Sequence, residues 1–373
     1  MALTPARIRR YKNMDSLIGN TPLVKYAGEV PNGNAVCIKR ECDNPFGSHY
    51  DRVYLALFRE FEANRGLTAE TPVMETSSGT AAVSFVGVGE ALGFEKFHVA
   101  IPQGIDSTIS DLLGVPEGRE MPKPDYLKDT VAHIVEGKRA TVYFTPEQDY
   151  VNGFPDFIKR FLPRNRDVAF LNHSMDRQRG GPAYANNETS LSALEGITRE
   201  AQQQIPIGIY MPAVGNGSSV LGPARALSEE SLIIPFESVQ SAVLYDRLYP
   251  GRYQKRFGIE PGTLPKHKLR GTSYQGIDFP HIRSAVTRCI IDDVVLIGDR
   301  WLDAAYHQMT GKDETASLPH WDQEFPGCGE YGRSTRAGIA AALDVAKTCH
   351  GKNILVIAYD KADRYDKWPI IPK

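Results

Sequence analysis

Short apolar runs alternate with longer segments of helical periodicity along most of the chain. The runs have the length of buried strands, and the longer segments repeat apolar residues every three to four positions. The predicted strands are residues 35–38, 72–75, 97–102, 207–214, 232–239, 294–297 and 353–358. The predicted helices are residues 53–62, 81–92, 220–227, 299–309 and 337–347. Repeated alternation of strand and helix predicts an α/β fold, with a mostly parallel sheet covered by helices on both faces.

The chain is long enough for two domains or for one elaborated α/β unit. Its 373 residues exceed the usual size of a single hydrophobic core. The strand and helix alternation up to about residue 145 indicates a small α/β unit. We therefore expect a small domain of residues 49–145, nested within a large domain of residues 1–48 and 146–373.

Composition narrows the class of protein without identifying the function. Apolar residues make up 42% and charged residues 24%, as is ordinary for a soluble globular protein. The formal net charge of -2 gives no reason to expect nucleic acid or an anionic membrane as a partner. The five cysteines include no Cys-x-x-Cys pair, which favours reduced thiols over disulfides or a zinc site. With no signal-peptide core and no membrane-spanning run, we expect a cytoplasmic protein without a bound metal.

Three of the predicted strands are followed by loops whose composition suits the binding of an anion. They are Asn44-Pro45-Phe46-Gly47-Ser48-His49-Tyr50, Thr76-Ser77-Ser78-Gly79-Thr80 and Gly215-Asn216-Gly217-Ser218-Ser219. Each precedes a predicted helix, where unpaired backbone amides bind anions, and glycines allow close approach. In the second loop the hydroxyls are also good helix caps, and that alternative stays open. In an open α/β sheet all three loops lie at the carboxyl ends of strands, where ligands bind.

Residues 146–205 have two open interpretations. Their basic residues fall in or near loops with several prolines and glycines. They are either a solvated surface or a mobile flap, whose Arg177 or Arg179 recognises a substrate carboxylate or phosphate.

Six segments, in order along nearly the whole chain, resemble the cysteine synthase and cystathionine β-synthase group of pyridoxal-phosphate enzymes. They are residues 18–23, 44–52, 75–94, 214–222, 332–343 and 360–365. The resemblance implies fold type II, the tryptophan synthase β-like fold, with two mostly parallel sheets flanked by helices. It also implies lyase or transferase chemistry on a small amino-acid-like substrate, and a homodimer.

The resemblance assigns roles to individual residues. It implies that pyridoxal 5'-phosphate is held through its phosphate by Gly215, Asn216, Gly217, Ser218 and Ser219. It places Ser334 at the pyridine nitrogen, Thr80 against the cofactor and His49 against the phosphate. It implies that the substrate carboxylate binds at Ser77, Ser78, Gly79 and His173.

The departures from the family pattern fall at the reactive centre. Tyr50 stands where the family has the lysine that forms an imine with the cofactor, and a phenol cannot form an imine. Thr80 replaces an asparagine, His173 replaces a glutamine, and Arg336 replaces a glycine beside Ser334. An engineered lysine-to-tyrosine change would account for Tyr50 alone, so several departures together favour natural divergence.

Three functions follow as hypotheses. The first is a diverged enzyme that acts on an amino acid or related carboxylate without a covalent lysine link, with the cofactor bound non-covalently or supplied as an adduct. Tyr50 is then the general acid or base, with His49 adjacent. The second is an enzyme that binds a phosphorylated substrate, instead of the cofactor, in the phosphate loop. The third is a non-catalytic partner subunit that keeps the fold for assembly.

Overall fold

The protein is described by a computed structural model that covers residues 4–174, 187–260, 262–263, 267, 269, 271–272, 279–298, 302–304, 314–316 and 328–365. The helices, in chain order, are α1 (Pro5–Leu17), α2 (Tyr50–Asn64), α3 (Thr80–Leu92), α4 (Ser107–Leu112), α5 (Phe154–Phe161), α6 (Asn187–Gln202), α7 (Ser218–Ala224), α8 (Val243–Leu248), α9 (Arg252–Phe257), α10 (Pro280–Thr287) and α11 (Arg333–Val345).

The strands are β1 (Leu23–Lys25), β2 (Ala35–Lys39), β3 (Val73–Thr76), β4 (Phe97–Pro102), β5 (Arg119–Met121), β6 (His133–Glu136), β7 (Thr141–Thr145), β8 (Ala169–Phe170), β9 (Ile209–Met211), β10 (Leu232–Ile233), β11 (Phe236–Ser238), β12 (Val295–Ile297), β13 (Leu302–Ala304), β14 (Glu314–Ala316) and β15 (Asn353–Ile357). These strands form three sheets within the described residues.

The chain divides into two compact units. Unit 1 comprises Met1–Gly19, Asn44–Ala193 and Asp363–Lys373, and unit 2 comprises Asn20–Asp43 and Leu194–Ala362. These bounds differ from the expected division at residues 49 and 145. The reason is that the chain after residue 145 adds β8 to the sheet of unit 1, where it pairs with β3.

Unit 1 contains a sheet of strand order β5-β6-β7-β4-β3-β8. Strands β7, β4, β3 and β8 run parallel, and β5 and β6 are antiparallel additions at one edge. Helix α3 is apolar on nearly all sides and is buried along most of its length, as expected for a central helix. It packs on α2, with the rings of Phe58 and Phe85 stacked at 5.9 Å. Helix α3 ends at Gly93, whose left-handed φ of +88 matches the predicted helix stop.

Unit 2 contains a sheet of strand order β1-β2-β15-β9-β10 and a second sheet of order β11-β12-β13-β14. In the first sheet β2, β15, β9 and β10 are parallel, and β1 is antiparallel to β2. Strand β15 is central and almost wholly buried, which agrees with its continuous apolar run. The expected mixed α/β fold with parallel-rich sheets and flanking helices is thus confirmed.

Two predicted elements differ from the structure. The strand predicted at residues 232–239 is broken at Pro235, which has no N–H for a ladder, so β10 pairs with β9 and β11 pairs with β12. The helix predicted at residues 299–309 is wrong over Leu302–Ala304, which forms β13, and residues 299–301 and 305–309 lie outside the described residues. Strand β13 pairs antiparallel with both β12 and β14, and such long-range pairing overrides local periodicity. None of the described helices is long and apolar enough to cross a membrane.

Candidate active site

The turn between β2 and α2 fixes the position of Tyr50. The Asp51 carboxylate accepts a hydrogen bond from the backbone N–H of Phe46 at 2.7 Å. Gly47 has a φ of +81, and a Cβ at this position would collide with the guanidinium of Arg364. That guanidinium donates to the backbone carbonyl of Phe46. Because the turn is held on both sides, α2 begins at Tyr50 itself, earlier than the predicted start at residue 53.

A buried pair of hydroxyl groups ties this turn to α3. The Ser48 hydroxyl oxygen accepts the backbone N–H of Tyr50 at 3.1 Å and lies 2.8 Å from the hydroxyl of Ser84. Both serine side chains are fully buried. The backbone at the start of α2 is therefore anchored, and the direction in which the Tyr50 side chain leaves it is set.

The phenol ring of Tyr50 contacts two imidazole rings. The ring of His49 lies 4.1 Å from it between centroids, and the ring of His173 lies 5.4 Å from it in an edge-to-face arrangement. Both histidines are buried, whereas Tyr50 is half-buried. The sequence placed His49 beside Tyr50, and the structure adds His173 from the segment after β8. A phenol and imidazoles are groups that exchange protons near neutral pH when their surroundings allow it.

Behind Tyr50 lies a buried network that sequence reasoning missed. The phenol of Tyr54, one helical turn after Tyr50, lies 3.2 Å from Nδ1 of His173. The same Nδ1 lies 3.3 Å from Oε2 of Glu75, whose side chain is fully buried at the end of β3. Burial, together with the nearby charge of Glu75, raises the pKa of the Tyr54 phenol well above its ordinary value. A glutamate at the end of an apolar strand was the one signal in the sequence that pointed to a buried polar network.

The loop after β3 gathers the residues expected to bind a carboxylate. The Ser77 hydroxyl oxygen accepts the backbone N–H of Gly79 at 3.0 Å and that of Ala82 at 3.1 Å. Gly79 has a φ of +156, which favours glycine, and Thr80 is the first residue of α3. Ser77 is buried, and Ser78, Gly79 and Thr80 are half-buried. Ser77 therefore acts as a helix cap, and ligand binding by this loop stays a prediction.

The loop between β9 and α7 has the residue types of a phosphate cradle. Gly217, with a φ of +89, lies directly before α7. The Asn216 side-chain oxygen accepts from the Ser218 backbone N–H at 2.9 Å and from the Ser218 hydroxyl at 2.7 Å. Asn216, Ser218 and Ser219 are buried, and Gly215 is half-buried. A phosphate in this loop competes with Asn216 for the donors of Ser218, and phosphate binding stays a prediction.

The start of α11 places polar side chains in a buried setting. Ser334 and Arg336 are both buried in the first turn of this helix. Between them, the Thr335 hydroxyl accepts the backbone N–H of Tyr359 at 3.1 Å. Burial raises the pKa of the Cys328 thiol to about 11, and the positive charge of Arg336 opposes that rise. The role of Ser334 at a pyridine nitrogen stays a prediction.

Two further expectations concern a flap and a metal. Arg177 and Arg179, the candidate anion-binding residues of the flap, lie outside the described residues. In the described part of the chain no group of three or more His, Cys, Asp or Glu side chains is arranged to hold a metal ion.

These residues fit pyridoxal phosphate only in part. A left-handed glycine, a second glycine and serine hydroxyls suit its phosphate, and a serine hydroxyl suits its pyridine nitrogen. The residue at the start of α2 is Tyr50, whose phenol cannot form an imine.

The chain is similar over nearly its whole length to cysteine synthases and related enzymes. The cysteine synthase of Staphylococcus aureus is 26% identical over 368 residues, which cover 96% of this chain and 96% of that protein. A hydrogen sulfide-producing enzyme of Fusobacterium nucleatum has a similar fold, with a TM-score of 0.68 at 20% identity, over 94% of this chain and 98% of that chain. An O-acetylserine dependent cystathionine beta-synthase of Helicobacter pylori has a TM-score of 0.66 at 20% identity, over 98% and 97% of the two chains.

The sequence profile of one enzyme family matches residues 14–300, which include the Tyr50 turn, the loop after β3 and the loop before α7. This match covers well over half of the chain and agrees with the fold and with the order of the motifs. The protein belongs to the pyridoxal-phosphate dependent enzyme family.

Proposed function

We propose that this protein is a diverged cysteine synthase-like enzyme that works without a covalent lysine link to its cofactor. Its substrate is an amino acid or a related carboxylate, and its chemistry is of the lyase or β-replacement type. The observation that carries the proposal is Tyr50, a half-buried phenol in ring contact with His49 and His173 where the family has its reactive lysine. Identity of 26% to a cysteine synthase over 96% of the chain supports the substrate class.

The cofactor is held non-covalently or arrives as a ready-made adduct. Pyridoxal phosphate supplies an electron sink for charge that develops at the substrate α-carbon. The residues that hold it are Gly215, Asn216, Gly217, Ser218, Ser219, Ser334 and Thr80. A neutral hydroxyl at Ser334 suits elimination, which needs less of the electron-withdrawing power of the ring.

The protein's own side chains then bind the substrate and move its protons. Ser77, Ser78, Gly79 and His173 form the set that receives the carboxylate. The Tyr50 phenol oxygen donates or accepts a proton where the family uses an amine, and the adjacent His49 ring tunes it. The homodimer and the cytoplasmic location expected from the sequence belong to the same proposal, and analytical ultracentrifugation tests the first of them.

The test is whether the cofactor binds, and whether it binds covalently. The purified protein is titrated with pyridoxal phosphate, treated with borohydride to fix any imine, and weighed by intact mass spectrometry. We expect the wild-type protein to bind the cofactor and to gain no mass after reduction and unfolding. The Tyr50→Lys variant should gain the mass of one reduced cofactor, and the matched control Tyr50→Phe should gain none.

Each failure has a distinct meaning. Covalent labelling of the wild-type protein at any lysine would overturn our interpretation of Tyr50. Absence of cofactor binding would remove the cofactor from the proposal. In that case stabilisation by a phosphate ester, measured by thermal shift, would favour an enzyme for a phosphorylated substrate. If a stoichiometric protein partner co-purified and no small molecule bound, the non-catalytic subunit would be favoured.

A further inference from the structure

The carboxylate of Glu75 is surrounded by hydrogen-bond donors. The backbone N–H of Thr76 donates to Oε1 at 2.9 Å, and the backbone N–H of His173 donates to Oε2 at 3.2 Å. The Nδ1 atom of His173 also lies 3.3 Å from Oε2. Both carboxylate oxygens therefore have polar neighbours, although the side chain is fully buried.

The backbone after β8 brings His173 to this carboxylate. The parallel pairing of β8 with β3 continues one step further, as the backbone N–H of Leu171 donates to the carbonyl of Met74 at 3.1 Å. Asn172 then takes a left-handed φ of +53, a conformation that asparagine adopts more readily than most residues. The imidazole that follows is therefore fixed by the sheet and by a defined turn.

The distance between Nδ1 of His173 and Oε2 of Glu75 decides where the imidazole carries its proton. At 3.3 Å in a buried setting, a lone pair on Nδ1 would face a negatively charged oxygen and repel it. A proton on Nδ1 removes this repulsion, and it can be donated to the phenol oxygen of Tyr54, which lies 3.2 Å away. In a neutral imidazole the remaining lone pair then lies on Nε2.

Tyr54 supports this arrangement. Burial raises the pKa of its phenol well above the ordinary value, so the hydroxyl keeps its proton. The phenol oxygen lies 3.2 Å from Nδ1 of His173, within hydrogen-bond distance, and it accepts when Nδ1 carries the proton. Tyr54 therefore helps to hold the imidazole in place.

The Nε2 side of the His173 imidazole differs from the Nδ1 side in its hydrogen bonds. Within the part of the chain that the structure describes, the hydrogen bond recorded for the His173 ring involves Nδ1, and none involves Nε2. The same ring makes the edge-to-face contact with Tyr50. A ligand that reaches the phenol of Tyr50 is thus also close to the imidazole of His173.

We propose that His173 is the proton-accepting base of this site, with Glu75 as the positioning residue that keeps the Nε2 lone pair available. The proposal rests on the proposed function, and it changes the role of His173 from carboxylate binding to proton transfer. In the step it implies, a proton beside the substrate carboxylate moves to Nε2, and the bonding electrons stay on the substrate carbon. The imidazolium that forms is stabilised by the Glu75 carboxylate. The arrangement supplies a proton acceptor beside Tyr50, in ring contact with it.

The first test needs no substrate and no cofactor. Long-range proton–nitrogen NMR of protein labelled with nitrogen-15 at histidine reports which ring nitrogen carries the proton. We expect the neutral His173 ring of the wild-type protein to be protonated at Nδ1, with the signal assigned by its loss in His173→Gln. Protonation at Nε2 in the neutral ring, or a ring doubly protonated throughout a pH series from about 6 to 9, would overturn the proposal.

Two variants test the positioning role of Glu75. In Glu75→Gln the amide oxygen at the Oε1 position can still accept the Thr76 backbone N–H. The amide nitrogen at the Oε2 position gives up the bond from the His173 backbone N–H and can donate to Nδ1. We therefore expect the proton to move to Nε2. Tyr54→Phe keeps the carboxylate, so the proton should stay on Nδ1. A proton that stays on Nδ1 in Glu75→Gln would show that Glu75 does not position it.

The second test measures the Nε2 lone pair as a nucleophile. Diethyl pyrocarbonate acylates an unprotonated imidazole nitrogen, with a C–N bond formed and ethyl carbonate released, and peptide mapping reports the rate at each histidine. We expect His173 to react at least about tenfold more slowly in Glu75→Gln than in the wild-type protein. The exposed His350 is the internal control and should keep its rate. Equal rates at His173 in the two proteins would contradict the proposal, whereas failure of cofactor binding alone would leave the base in place and remove only the proposed function.

Discussion

Gly217 offers a sharp test of the loop before α7, because two separate effects oppose any larger residue there. Its φ of +89 lies in the left-handed region, where a side chain is strained. A Cβ at this position would also lie 2.7 Å from Cγ1 of Ile282, 2.8 Å from the backbone N of Ile282 and 3.1 Å from Cβ of His281. A backbone atom can move only if α10 moves with it.

The expected loss of stability in Gly217→Ala is the sum of the two effects. The left-handed conformation costs about 1–2 kcal/mol for a residue with a Cβ. Overlap in a packed region adds about 1–3 kcal/mol. The sum, about 2–5 kcal/mol, is a large part of the about 5–15 kcal/mol by which a typical protein is stable.

Gly258 provides the matched control. Its φ is +66, and a Cβ there would meet no atom within 4 Å, so Gly258→Ala carries the conformational effect alone. Urea unfolding followed by circular dichroism gives the loss for each variant from the shift in midpoint at unchanged slope. We expect Gly217→Ala to be the less stable of the two by about 1–3 kcal/mol. Equal losses would refute the packing of α10 against this loop.

Two further predictions concern buried charges. Lys39 is fully buried and donates to Oε2 of Glu200 and to Oγ1 of Thr21, each at 2.6 Å. Lys39→Met should lower the free energy of unfolding by about 3–5 kcal/mol, because it leaves the charge of Glu200 without its lysine partner. In the control Lys347→Met, which removes a half-exposed ion pair, the same urea assay should show a loss of no more than about 1 kcal/mol. Burial raises the pKa of Glu237 from 4.5 to about 8. Between these two pH values the folded state binds a proton that the unfolded state has lost. The free energy of unfolding should therefore fall with rising pH by up to about 1.4 kcal/mol per pH unit. In Glu237→Gln the free energy of unfolding, measured over the same pH range, should depend less on pH. An unchanged dependence on pH would show that other groups cause it.

Much of the site was accessible from the sequence because it depends on local rules. A strand, a turn and a helix in succession predict where backbone amides point, so the loops at residues 76–80 and 215–219 were placed correctly between a strand and a helix. Gly93 predicted the end of α3 for a local reason, since it adopts a left-handed φ at that point. The proposed loss of imine chemistry rests on the identity of one side chain, Tyr50, and that identity is read from the sequence alone.

The partners of those residues were decided by the tertiary structure. His173 reaches Glu75, which is 98 positions away in the sequence, only because β8 pairs with β3. Leu302–Ala304 forms a strand because β12 and β14 lie beside it. Hydrophobic periodicity reports which way a residue faces within its own element, but it carries no information on which distant elements become neighbours. The sequence by itself therefore determined the fold class and the tyrosine on which the proposed function rests. The buried network of Tyr54, His173 and Glu75 arose from long-range strand pairing that no local pattern specifies.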